Sequence, residues 1–140
     1  MKAKWAEGIE PRNFVWVIKD SLAICERPGG YGEHHRRVRR QEEIIWIRQN
    51  EFDVLYSLIS GSHNLHNYEE LGMPFRHRPW PAHEQLAQFM EAIFIEIRSA
   101  ISASQKVVVH KELVGERLCG LMAAYLLWAD LVPTGPQATA

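Results

Sequence analysis

The sequence predicts one α/β domain with a central, mostly parallel sheet between flanking layers of helices. Short apolar and β-branched runs alternate along the chain with segments of helical periodicity, which is the order expected of such a sheet. The 140 residues suffice for one domain with its own core, and the 46% apolar content excludes an intrinsically disordered chain. In sheets of this class, ligands bind beyond the carboxyl ends of the strands.

The first half of the chain predicts three strands and two helices. Residues 14–18 and 21–25 predict short strands that form either a hairpin or two edge strands. A turn rich in glycine then separates them from a helix over residues 33–50. A buried strand over residues 53–59 and a short helix over residues 68–72 complete this half.

The second half contains the clearest helix of the sequence. From Leu86 to Ile101, apolar residues recur at spacings of three and four. Residues 73–82 precede this helix, hold three prolines, and predict an irregular loop with room for a short strand. The β-branched run at 106–110 predicts a strand buried on both faces, and residues 116–131 predict a strongly apolar helix.

Composition excludes several classes of protein. A formal net charge of -1 argues against a protein built mainly to bind nucleic acid, which needs an excess of cations. The two cysteines, Cys25 and Cys119, are too few for a disulfide framework and lack zinc-finger spacing. The sequence predicts neither a signal peptide nor a bilayer span. We therefore expect a soluble, cytoplasmic protein with no membrane segment and no cofactor.

A motif lies where the strand at 106–110 meets the last helix. It reads His110-Lys111-Glu112-Leu113-Val114-Gly115-Glu116-Arg117, and Ala-Ala-Tyr-Leu follows at 123–126. This stretch resembles the phosphate-binding loop and helix of the dual-specificity branch of the cysteine-based tyrosine phosphatases. That family carries Val-His-Cys, five variable residues, Arg-Thr/Ser-Gly, and a helix that often contains Ala-x-Tyr-Leu. The strand, the histidine, the arginine and the helix align without a gap.

The resemblance extends over residues 11–132 and is to the small atypical members of the family. It implies a phosphatase-like three-layer sandwich that is short at its C-terminus. Residues 1–10 are then expected to form a flexible arm and residues 133–140 a tail. Because family members usually continue into further helices, we expect some apolar surface of the last helix to be covered by a homodimer or a partner.

The departures from the family pattern decide the expected function. Lys111 stands at the position of the nucleophilic cysteine, and a protonated amine cannot replace a thiolate. Val114 replaces a loop glycine, and Leu118 replaces the hydroxyl that supports the thiolate. The region at 78–84 lacks the aspartate that serves as general acid. The resemblance thus implies a catalytically inactive, pseudophosphatase module that binds a protein or a phosphorylated partner.

The altered loop is still a candidate anion site. The residues expected to bind the anion are Lys111, Gly115, Glu116 and Arg117. His110, as in the family, is expected to support the loop by hydrogen bonding. The alternative is a loop without an anion, in which Arg117 pairs with Glu112 or Glu116.

Two further functions are weighed against this one. A divergent phosphoester hydrolase would use His83, Glu84 or Cys119, although Glu84 suits the first turn of a helix and Cys119 suits a small buried thiol. A nucleic-acid contact would use the basic run at 34–40, although a solvated helix face is the favoured interpretation of that run, with Arg39 paired to Glu42 or Glu43. The sequence predicts no metal site, because His63 and His66 lack a third ligand nearby.

Overall fold

The computed structural model describes residues 8–29, 37–62 and 64–131. Within them the chain forms five strands and four α-helices. Their order is β1 (Val15–Ile18), β2 (Leu22–Glu26), α1 (Arg37–Gln49), β3 (Val54–Ser57), α2 (Leu65–Glu70), β4 (Phe75–His77), α3 (Leu86–Ser102), β5 (Val107–Lys111) and α4 (Glu116–Trp128). Strands and helices therefore alternate as the sequence predicts.

The five strands form one sheet in the order β1-β2-β5-β3-β4. β1 and β2 pair antiparallel, whereas the pairs β2–β5, β5–β3 and β3–β4 are parallel. The mostly parallel sheet is thus confirmed. β5 lies at its centre, and Val107, Val108 and Val109 are fully buried, which explains the uninterrupted β-branched run.

The first two strands form the predicted hairpin, but they do not both lie at an edge. β1 is the edge strand, and β2 lies between β1 and β5. All five residues of β2 are buried, because helices cover both faces of an internal parallel strand. The alternative of two edge strands is therefore wrong.

Two apolar clusters, one on each face of the sheet, produce three layers. On one face, Ile97 of α3 and Leu121 of α4 pack with Val107. On the other face, Ile44 of α1 and Tyr68 of α2 pack with other sheet residues, among them Val108. This is the flanked sheet that the fold class requires.

The ends of some elements differ from the predicted ones. α2 begins at Leu65 rather than at residue 68, directly after Asn64, whose φ is 72°. α4 ends at Trp128 rather than at residue 131, because Asp130 adopts a φ of 63° and a left-handed residue terminates a helix. β4 is the short strand that the sequence allowed within the proline-rich segment at 73–82.

The described part of the expected N-terminal arm contacts α1. The amide of Ile9 donates to the Glu42 carbonyl at 3.1 Å, and the amide of Gly8 donates to the Gln49 side chain at 3.1 Å. Residues 1–7, the start of the predicted first helix at 33–36, and the tail at 133–140 lie outside the described residues. None of the described helices is long and apolar enough to cross a bilayer.

Candidate anion site

The site lies at the carboxyl edge of the parallel strands. In register, Glu26 of β2 lies beside Lys111 of β5, and Ser57 of β3 lies beside His110. The connection from β5 to α4 starts at this edge and forms one wall of a cleft of about 320 Å³. The residues that line the cleft are Lys111, Glu112, Leu113, Gly115, Glu116, Arg117 and Leu118. The structure thus brings the four expected anion-binding residues together.

The amino terminus of α4 opens into this cleft. Gly115 precedes the helix, and no side chain caps the first turn. The backbone N–H groups of a first turn lack intrahelical acceptors, and together with the helix dipole they favour an anion. Glu116 occupies that first turn and is exposed, as is Arg117.

The ion pair of the loop is not the expected one. Arg117 pairs with no carboxylate of the described residues, whereas Lys111 Nζ lies 3.3 Å from Glu112 Oε2. The same Nζ atom lies 5.1 Å from the centre of the Trp80 ring, within the range of a cation–π contact. The expected pairing of Arg117 with Glu112 or Glu116 is therefore wrong, and Lys111 is the cation that Glu112 binds.

A buried chain of hydrogen bonds supports the loop from below. His110 is fully buried, and burial lowers its pKa to about 4, so the ring is neutral near pH 7. Its Nδ1 atom lies 3.2 Å from the Lys111 carbonyl, which can only accept, so Nδ1 carries the proton. Nε2 therefore accepts from the Tyr68 hydroxyl at 2.8 Å, and that oxygen accepts from Asn64 Nδ2 at 3.3 Å.

The two altered hydrophobic positions belong to the core. Leu118 is fully buried on the α3–α4 side of the sheet. Val114 is half-buried and packs against the same cluster. No residue between Lys111 and Arg117 has a positive φ, so Val114 does not adopt the conformation that favours glycine.

The candidate residues of the hydrolase alternative lie apart from the cleft. His83 and Glu84 form an exposed single turn directly before α3 and do not line it. Cys119 is exposed, not buried as expected, and it lines a separate groove of about 520 Å³ between α4 and the β1–β2 hairpin. The structure therefore does not bring these three residues together with Lys111.

Arg27 is a residue of this region that the sequence interpretation missed. It is buried, and burial lowers its pKa, although the negative charge of Glu112 acts in the opposite direction. It directly follows β2, the strand that neighbours β5. Its place after a strand was visible in the sequence, but the adjacency of β2 and β5 was not.

Two arginines of the basic run, Arg39 and Arg40, have partners within the protein. Arg39 forms an ion pair with the buried Glu43, one of the two partners predicted for it. Arg40 donates to the Asn67 side chain at 2.7 Å. Residues 34–36 lie outside the described residues. So does His63, one of the two histidines considered as metal ligands. Among the residues that the structure describes, no group of three or more histidines, cysteines or carboxylates is placed to hold a metal ion.

Solved phosphatase structures are similar to this fold. The kinase associated phosphatase, in a form with serine in place of its catalytic cysteine, superposes with a TM-score of 0.73 and 19% identity over 91% of this chain and 80% of its own. The active form of Tk-PTP gives a TM-score of 0.68 with 17% identity over 90% and 79% of the two chains. The PTP-2 phosphatase of Cydia pomonella gives 0.63 with 18% identity over 89% and 74%. No protein-family model and no curated protein matches the chain.

These likenesses show the fold, which is the one that these phosphatases share. The chain carries this fold with Lys111 at the end of the central strand and the cleft directly beyond it.

Proposed function

We propose that this protein is a catalytically inactive phosphatase-like module that binds a protein partner, and in particular a phosphorylated one, through the cleft at the start of α4. The observation that carries the proposal is the position of Lys111. Its amine lies where the resemblance places the nucleophile, and it is held between Glu112 and Trp80.

The chemistry of this position argues against hydrolysis. A phosphatase of this class needs a low-pKa thiolate, and a lysine amine in an ion pair is protonated and has no free electron pair. Leu118 and Val114, which replace the supporting hydroxyl and the loop glycine, pack into the core.

Anion binding needs none of the lost catalytic groups. The uncapped first turn of α4 supplies N–H donors, and the exposed Arg117 supplies a planar guanidinium that matches two oxygens of a phosphate. Both lie on one cleft with Lys111. A phosphorylated side chain of a partner supplies the anion that this arrangement suits.

The first test is an assay for turnover. Purified protein should not hydrolyse p-nitrophenyl phosphate above the background rate, and Lys111→Cys should restore little activity, because Val114, Leu118 and the missing acid remain. Turnover that survives Lys111→Ala and is lost in Cys119→Ser would contradict inactivity and favour the divergent hydrolase.

The second test measures anion binding. Titration with phenyl phosphate, followed by the amide NMR shifts of residues 112–117, should show weak, saturable binding. Arg117→Ala should weaken it at least tenfold, as expected for the loss of a charge-assisted hydrogen bond. Arg76→Ala, which removes an exposed arginine from β4, is the matched control and should leave binding unchanged. Equal affinities in both variants would remove Arg117 from the site.

The homodimer and the cytoplasmic location stay predictions. The observation that favours a dimer is the groove beside β1, which is lined mostly by apolar residues and borders the half-exposed Val15. Sedimentation at micromolar concentrations should then detect a dimer, and a compact monomer at every concentration would exclude it. Nucleic acid and membrane are not among the partners that we propose.

A further inference from the structure

The carboxylate of Glu112 lies among the positive charges of the cleft. Its Oε2 atom is 3.3 Å from Lys111 Nζ, and its side chain is 38% exposed against 14% for Lys111. Burial lowers the pKa of Arg27 and of His110, and the charge of Glu112 acts against this change in each case. A negative charge of the chain itself therefore lies close to Lys111 and Arg27, two cations that would attract a phosphate.

The second glutamate of the loop is placed differently. Glu116 lies in the exposed first turn of α4 and forms no ion pair with a described cation. Both glutamates line the same cleft, and each contributes one negative charge. Only Glu112 is bound to Lys111, so the two carboxylates provide an internal comparison.

We propose that Glu112 is a built-in occupant of the anion site, which an external anion must displace from Lys111. This inference rests on the proposed function, because it assumes that the cleft receives an anion. It adds a regulatory contact to that function: in the resting state, the carboxylate of Glu112 occupies the Lys111 amine within the open cleft. Any partner contact that draws Glu112 away would then raise the affinity for phosphate.

Displacement and simple repulsion have different signatures. A competitor that must leave first reduces the competent fraction of the protein, and it weakens every ligand by the same factor. A carboxylate that stays in place repels a dianion about twice as strongly as a monoanion. The dependence of the effect on ligand charge therefore separates the two mechanisms.

The experiment compares two ligands that share an aryl group. At pH 8, phenyl phosphate is a dianion and methyl phenyl phosphate is a monoanion, because the second phosphate pKa is about 6. Dissociation constants for both are measured by NMR titration with the wild-type protein, Glu112→Gln and Glu116→Gln. Glu70→Gln, on the exposed surface of α2, controls for the change in net charge. Thermal unfolding verifies that each variant is folded.

We expect Glu112→Gln to tighten both ligands by the same factor, about fivefold, which corresponds to a partly exposed ion pair. Glu116→Gln should tighten phenyl phosphate more than the monoanion, and Glu70→Gln should change neither. No gain in Glu112→Gln, or a gain that is larger for the dianion, would overturn the displacement and leave the proposed function intact. Absence of binding to wild type and all variants would overturn both.

Discussion

The two sides of the Lys111 backbone differ in chemistry. Below it, Asn64, Tyr68 and His110 form a buried, neutral chain of hydrogen bonds that ends on the Lys111 carbonyl. Above it, the cleft is open and carries a lysine, an arginine and two glutamates. The lower region is shielded from water, so the loss of a hydrogen bond there is costly, whereas the upper region is solvated and tolerates unpaired charge.

This difference indicates which part of the site tolerates substitution without a loss of stability. A substitution in the buried chain leaves a neighbour without its hydrogen bond and costs stability. A substitution in the solvated loop changes the stability of the fold little, so the effect of its residues is expected on binding rather than on folding. Leu118 and Val114 are the exceptions, because both belong to the motif by position and pack with the core.

Leu118→Ser, which restores the hydroxyl of the family motif, should have the largest effect on stability. We expect a loss of about 3–5 kcal/mol in the free energy of unfolding, because the variant leaves a cavity and buries a hydroxyl. Leu113→Ser, in the loop that precedes α4 and 46% exposed, should stay within about 0.5 kcal/mol. Denaturant titration of both variants checks this, and equal losses would show that position 118 is not a core position.

The buried histidine predicts a pH dependence of stability. In the folded state the pKa of His110 is about 4, below its ordinary value of 6.5. Between these two pH values the unfolded chain binds a proton at this histidine and the native state does not. Stability should therefore be unaffected by this group above pH 6.5 and should fall as the pH drops from 6.5 towards 4. The loss reaches about 3 kcal/mol at most.

The contribution of His110 is isolated by comparison with His110→Gln. Glutamine does not titrate, so the difference in unfolding free energy between the two proteins should change over this pH window and be constant above it. If the unfolding free energies of the two proteins changed in parallel from pH 4 to 7.5, the His110 ring would not be held neutral in the folded state. Other groups cancel, because they are present in both proteins.

Tyr68→Phe should have the smallest of the three effects. The variant removes the donor to His110 Nε2 and one of the two acceptors of Asn64 Nδ2, which keeps its bond to the Pro28 carbonyl, and it should cost about 1–2 kcal/mol. Tyr125→Phe is the matched control, because Tyr125 is equally buried but its hydroxyl bonds to none of the described residues. A cost below about 0.5 kcal/mol for both variants would mean that the chain does not support the loop.

The sequence predicted the fold class and most elements because burial leaves a periodic pattern. The β-branched run at 106–110 predicts a buried central strand. The spacing of apolar residues from Leu86 to Ile101 predicts a helix that packs on the sheet. The position of Lys111 at the carboxyl end of that strand also followed from the sequence, and ligand sites of parallel sheets lie at this edge.

The tertiary structure alone decided which side chains meet. Pairing of β2 with β5 brings Arg27 towards Glu112, and packing of α2 on the sheet brings Tyr68 to His110, over a separation of 42 residues. It also decided that Lys111, not Arg117, binds Glu112, and that Cys119 is exposed. Local patterns encode which face of an element is buried, but contacts between distant residues depend on strand order and on side-chain directions that no local pattern contains.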